Sequence, residues 1–88
     1  MEKPLARQVA VVTGAGGTIG RAVAAAFKAQ GADVALLDRD KKAVSAAATV
    51  VGGLAVTADV TDPKSVDTAF RQVTEAFGGV DILVSNAG

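Results

Sequence analysis

Apolar residues along this chain fall into two patterns that take turns. Four short aliphatic runs occur at residues 9–12, 34–37, 54–57 and 82–85, the last two closing on a single Thr or Ser. Runs of that length without strict alternation predict strands covered on both faces, as in a parallel sheet. The segments between them have helical spacing. Ile19, Val23 and Phe27 make one stripe, which Ala22 and Ala26 widen. Val44, Ala47, Ala48 and Val51 make a second, and Val66, Ala69, Phe70, Val73 and Phe77 a third. Each is closed by glycine: Gly31, Gly52-Gly53 and Gly78-Gly79. Asp62 is a good N-cap with Pro63 at the first helical position, and Asp40 can cap the second helix in the same way. The resulting order, β-α-β-α-β-α-β, predicts an α/β domain over residues 1–88 with a parallel sheet and right-handed crossovers.

The first strand runs directly into Gly14, Gly16, Gly17 and Gly20, and the first helix begins among them. Such a turn brings backbone N–H groups to the positive end of a helix, where an anion such as a dinucleotide pyrophosphate fits. Glycine lets the main chain approach a ligand with no Cβ in the way, and Gly20 would let the helix pack closely on the sheet. The same glycines would also serve a tight turn with no ligand; the strand before, the helix after and the acid at the next strand end favour the cofactor reading. A P-loop is disfavoured, because Arg21-Ala22 follows Gly20 in place of Lys and Ser or Thr.

That acid is Asp38, which closes the second run near the spacing of about 20 residues expected for a ribose-binding carboxylate. Such a group accepts hydrogen bonds from ribose hydroxyls and repels a 2′-phosphate, which favours NAD over NADP. Arg39 complicates the choice, since a guanidinium pairs with phosphate or stacks on adenine. An ordinary solvated turn that caps the next helix is the simpler alternative. Asp59-Val60 follows the third run and Ser85-Asn86-Ala87-Gly88 the fourth.

Taken together, Thr13-Gly14-Ala15-Gly16-Gly17-Thr18-Ile19-Gly20 resembles the cofactor motif Thr-Gly-x-x-x-Gly-x-Gly of the short-chain dehydrogenase/reductase family, departing at Thr18. Thr18 could cap the helix or offer its hydroxyl to a phosphate oxygen. Ser85-Asn86-Ala87-Gly88 is similar to the family's Asn-Asn-Ala-Gly signature, with Ser85 for the first Asn. The resemblance implies a Rossmann-like three-layer α/β/α fold with strand order 3-2-1-4. The crevice would lie where that order reverses. It further implies that Gly14, Gly16, Gly17, Thr18, Ile19 and Gly20 hold a nicotinamide cofactor; Asp38 then falls at the adenosine ribose, with Arg39 beside it on phosphate or adenine. Asp59 and Val60 would meet adenine. Asn86 would tie the central strands beside the cofactor ribose, and the small Ala87 and Gly88 would let cofactor and backbone come close.

Composition narrows this reading. Nine basic and nine acidic residues leave no net charge, so neither a nucleic-acid face nor a polybasic membrane patch is indicated. No apolar run approaches the ~18 residues of a membrane span, and the N-terminus has no secretory pattern. With no Cys, disulfides and thiolate metal sites are excluded, and a cytoplasmic location is expected. The chain also has no Tyr and no His. The Tyr-x-x-x-Lys pair that family enzymes use for general acid/base catalysis is therefore absent. Ser45 and Ser65 read as surface or capping residues, and Asp67 and Glu75 as an unpaired polar face. The expectation is a cofactor-binding segment, ended before the catalytic part, of an oxidoreductase that interconverts alcohol and carbonyl by hydride transfer. Its parent would be a homo-oligomer. A non-catalytic nucleotide-binding or sensor module completed by another chain, or a flavin-binding domain, are the alternatives. Ending at residue 88 would leave the fourth strand as an open apolar edge, prone to association.

Overall fold

The computed structural model describes residues 3–86. Seven elements follow one another: β1 (Val9–Thr13), α1 (Thr18–Ala29), β2 (Asp33–Asp38), α2 (Lys41–Val51), β3 (Leu54–Thr57), α3 (Pro63–Phe77) and β4 (Ile82–Val84). All strand pairs are parallel, and the sheet order is β3-β2-β1-β4. β1 pairs with β2 from Val9↔Asp33 to Thr13↔Leu37, and with β4 from Ala10↔Ile82 to Val12↔Val84. The expected architecture and strand order are therefore present. The fourth strand ends at Val84, so Ser85 lies just beyond it.

Successive strand residues point to opposite faces, and each face has its own core. Ala10, Val12, Val34 and Leu36 pack with Ala24, Val44, Ala47 and Ala48, which places α1 and α2 on one side. Val9, Val11, Ala35, Leu37 and Val56 pack with Ala69 and Val73 of α3 on the other. Three layers result. Burying each Val or Leu side chain contributes roughly 1.5–3 kcal/mol, so the aliphatic runs are what hold the layers together. Both sides of β1 are covered, and all five of its residues are buried.

The helix ends follow the local chemistry. Asp40 accepts a hydrogen bond from Ala43 N at 3.1 Å, and Asp62 accepts one from Lys64 N at 3.1 Å with Pro63 leading α3. Gly52 and Gly78 stop α2 and α3.

α1 departs from the expected stripe. Ile19 is 70% exposed, and Ala22 and Ala26 are exposed as well. Its buried positions are Gly20 and Ala24, with Val23 and Phe27 flanking them half-buried. The cause is the closeness of helix and strand end. A Cβ at Gly20 would run into the Gly14 carbonyl oxygen and lie 2.8 Å from Ala15 Cα. Only the smallest residues fit on that face, and the larger ones are rotated to either side. Among the described residues no helix is long and apolar enough to cross a membrane.

Candidate functional site

The turn after β1 is closed by its own amides. Gly14 takes a left-handed φ of 64°, and the chain then folds back towards the end of β2. Ala15 N donates to Leu37 O at 3.0 Å, Gly16 N to Asp38 Oδ2 at 2.9 Å, and Gly17 N to Gly14 O at 3.3 Å. These bonds take up the amides of Ala15, Gly16 and Gly17 within the protein, which narrows the N–H groups that could face an anion to the helix start. The donors left over are Thr18, Ile19 and Gly20, the first turn of α1, whose N–H groups have no partner within the helix. Gly17 is the N-cap and makes no side-chain cap bond. Thr18 is therefore the first residue inside the helix and not its cap. A free first turn carries the positive end of the helix dipole, the feature that suits it to phosphate oxygens.

Beside this turn lies a cleft of about 230 Å³ lined by Gly14, Asp38, Arg39, Ala58, Asp59, Val60 and Thr61. It lies at the carboxyl ends of β1, β2 and β3. Five residues singled out from the sequence thus meet in one place: Gly14, Asp38, Arg39, Asp59 and Val60. Asp38 is the last residue of β2, half-buried, with both carboxylate oxygens engaged. Oδ2 accepts from Gly16 N, and Oδ1 accepts from Asp40 N at 3.0 Å. These bonds fix the carboxylate. Each oxygen keeps a further lone pair with which to accept another donor.

Asp59 is fixed differently. Thr61 donates to Asp59 Oδ1 twice, from its hydroxyl at 2.6 Å and its backbone N–H at 2.9 Å. Thr61's hydroxyl, then its N–H, hold the Asp59 carboxyl below the usual carboxylate range; the Arg39 charge adds to this, and partial burial opposes it. Two carboxylates and one guanidinium therefore line the cleft.

Several contacts were not legible from residue types. Ser65, expected on the surface or in a cap, accepts Asp59 N at 2.9 Å and so pins the β3–α3 loop. Thr13 Oγ1 accepts Asn86 N at 2.9 Å, which ties the segment after β4 to the end of β1. Thr13 lies within the glycine motif, and that was the one signal for it. Asn86 is thus placed beside the turn through its backbone. Ala87 and Gly88 lie outside the described residues. Asp67, expected to be unpaired, meets Arg71 at 3.3 Å on the exposed side of α3, a pair that contributes little to stability.

Comparison with known proteins gives the family and agrees with the fold. The family model described as short chain dehydrogenase matches residues 8–88. A galactitol 2-dehydrogenase from Agrobacterium fabrum is 46% identical over 85 residues, covering 94% of this chain and 33% of the relative. The crystal structure of a short chain dehydrogenase from Mycobacterium smegmatis superposes with a TM-score of 0.90 at 35% identity, covering 96% of this chain and 38% of that one. A 3-ketoacyl-(acyl-carrier-protein) reductase from Brucella melitensis, complexed with NADH, gives a TM-score of 0.87 at 40% identity, covering 90% and 33%. The chain thus spans 33–38% of the length of these relatives.

Proposed function

Because the chain belongs to the short chain dehydrogenase family, we propose that it binds the adenosine diphosphate half of a nicotinamide dinucleotide, NAD in preference to NADP. The observation that carries this reading is the Asp38 carboxylate, fixed between Gly16 N and Asp40 N at the rim of the cleft. A ribose with free hydroxyls can donate to it, whereas a 2′-phosphate would meet its charge at short range. Asp59, which lines the same cleft, adds a second negative charge.

The residues fit the cofactor part by part. Amides of Thr18, Ile19 and Gly20 meet the pyrophosphate, Asp38 takes the ribose hydroxyls, and Arg39 borders the adenine. Asp59 Oδ1 is occupied by Thr61, which leaves Oδ2 to accept the adenine amino group. Val60, 45% exposed, supplies an apolar edge. Gly14, Gly16 and Gly17 shape the turn, and Asn86 holds the β4 end against it through Thr13. Ala87 and Gly88 belong to the same assignment by sequence alone.

When bound, such a cofactor carries hydride between its nicotinamide ring and an alcohol or carbonyl carbon. This chain's part in that reaction is binding and orientation. It contains no Tyr to act as general acid/base in the manner of the family. We therefore assign the proton-transfer group, and the pocket for a small alcohol or carbonyl substrate, to polypeptide outside these 88 residues. The same reading takes the parent oxidoreductase as a cytoplasmic homo-oligomer. A second chain that completes a non-catalytic module has no observation in its favour.

The test is calorimetric titration with NAD, NADP and FAD. NAD should bind most tightly. Asp38→Ala should weaken NAD about tenfold or more, the loss expected for hydrogen bonds to a charged group, while NADP changes less. An unchanged preference would remove Asp38 from the site.

A further inference from the structure

Gly16 serves its own protein through both its N–H and its missing side chain. Its N–H points at a side chain of its own protein, Asp38 Oδ2 at 2.9 Å. Its missing side chain matters as much. A Cβ built at Gly16 would lie 2.8 Å from Asp38 Oδ2, 3.1 Å from Asp38 Cγ and 2.9 Å from Ala43 Cβ in the first turn of α2. Real Cβ atoms do not approach that closely, so either the carboxylate or the helix must move. The helix backbone is held by the Asp40 cap. The carboxylate is the softer neighbour. Gly16 does not have a left-handed φ, unlike Gly14, so an L-residue fits its backbone and only the space is at issue. A Cβ at Gly17, next in the chain, would meet only Gly14 O at an ordinary 3.6 Å.

We propose that Gly16 is a specificity-determining position for the dinucleotide: a positioning residue that sets the preference between NAD and NADP through Asp38. The inference rests on the cleft being the adenosine ribose site. Gly16 contributes a donor that locks one carboxylate oxygen, and an open space that the carboxylate occupies. With Oδ1 held by Asp40 N, the charge has one location. The 2′-position of the ribose then meets a carboxylate whose acceptor directions are preset, which costs less ordering on binding. A methyl group at residue 16 displaces Oδ2 and breaks the Gly16 N–H contact. The charge swings out of register with the ribose, so NAD loses its acceptor and NADP loses part of its repulsion.

The experiment is a double-mutant cycle in the full chain, with NAD and NADP as titrants and thermal unfolding followed by circular dichroism as the folding check. Gly16→Ala should lower the NAD:NADP affinity ratio about tenfold, the size expected from losing one hydrogen bond to a charged group. In an Asp38→Ala background the same change should leave the ratio unmoved, because the atoms it displaces are gone. Asp38→Asn keeps an acceptor for Gly16 N–H and drops the charge, so it should lower the ratio with Gly16 intact. If Gly16→Ala does not fold, Gly16→Ala combined with Ala43→Gly relieves the helix contact and should give the same shift. Equal weakening of both dinucleotides, or an equal ratio change with and without the Asp38 carboxylate, overturns the inference and leaves the site standing. Failure of the unsubstituted chain to bind either dinucleotide overturns both.

Discussion

Asp59 shows how single residues set the electrostatics of the cleft. Its carboxylate is held by the Thr61 hydroxyl and N–H, with Arg39 nearby, and it ionises at lower pH than a free carboxylate. A group whose folded value is depressed stabilises the fold above its unfolded value and loses that contribution as pH falls through the folded one. The β3–α3 loop is therefore expected to keep its conformation to lower pH than an ordinary aspartate would allow. Thr61→Val removes the hydroxyl donor and keeps the N–H. It should move the Asp59 midpoint up towards the usual carboxylate value, read by carboxyl-carbon NMR across an acid titration. An unmoved midpoint would put the cause elsewhere. Residue identity in the sequence marked Asp38 and Asp59 because acids at strand ends are few and chemically distinctive. It could not show what holds them. Gly16 and Asp38 are far apart in the chain, Ser65 looks like any helical serine, and the Thr13–Asn86 bond is made by a backbone N–H that no residue type reveals.

Elements were legible wherever both flanks of a run were apolar. The strands of the sheet's centre announced themselves because β1 and β2 are covered on both faces, and α2 and α3 because Val44, Val73 and their neighbours are large enough to make a stripe. In α1 the helix is where the spacing predicts it, but only Val23 and Phe27 of the expected stripe reach the core, for a physical reason. The centre of its contact face is Gly20 and Ala24, which carry little hydrophobic signal, with Val23 and Phe27 to either side, while Ile19 stands exposed at the helix start. β4 is the element with the least cover. α3 packs against Val56 and Leu37 on the side of β2 and β3, so Leu83, paired in register with Val11, is 57% exposed on that face. An apolar edge strand is a template for pairing with another chain. The 88-residue polypeptide by itself is expected to associate as concentration rises, and Leu83→Lys should shift it towards monomer. Size-exclusion chromatography with light scattering measures this directly; a monomer at every concentration, unaffected by the substitution, would contradict it.

At the scale of the whole molecule, the order β3-β2-β1-β4 does the positioning. It gathers the carboxyl ends of three strands and the start of α1 at one edge, so that groups distant in sequence face one cleft. The regular alternation of strands and helices made the parallel sheet legible, since parallel strands need crossovers; the strand order itself was implied by the resemblance of the glycine turn and of residues 85–88 to the family's motifs. What the sequence left open was how the turn uses its amides: three are bound within the protein, and the three that open α1 have no partner within the helix. The central claim is that these last donors hold the linked phosphates of an adenine dinucleotide. Amide ¹⁵N NMR during an NAD titration tests it most directly. Saturable shifts should be largest at Thr18, Ile19 and Gly20, with a second group at Arg39 and Val60 and little change on the outer face of α3. A titration that leaves the first turn of α1 still, whether or not other residues respond, would contradict the account.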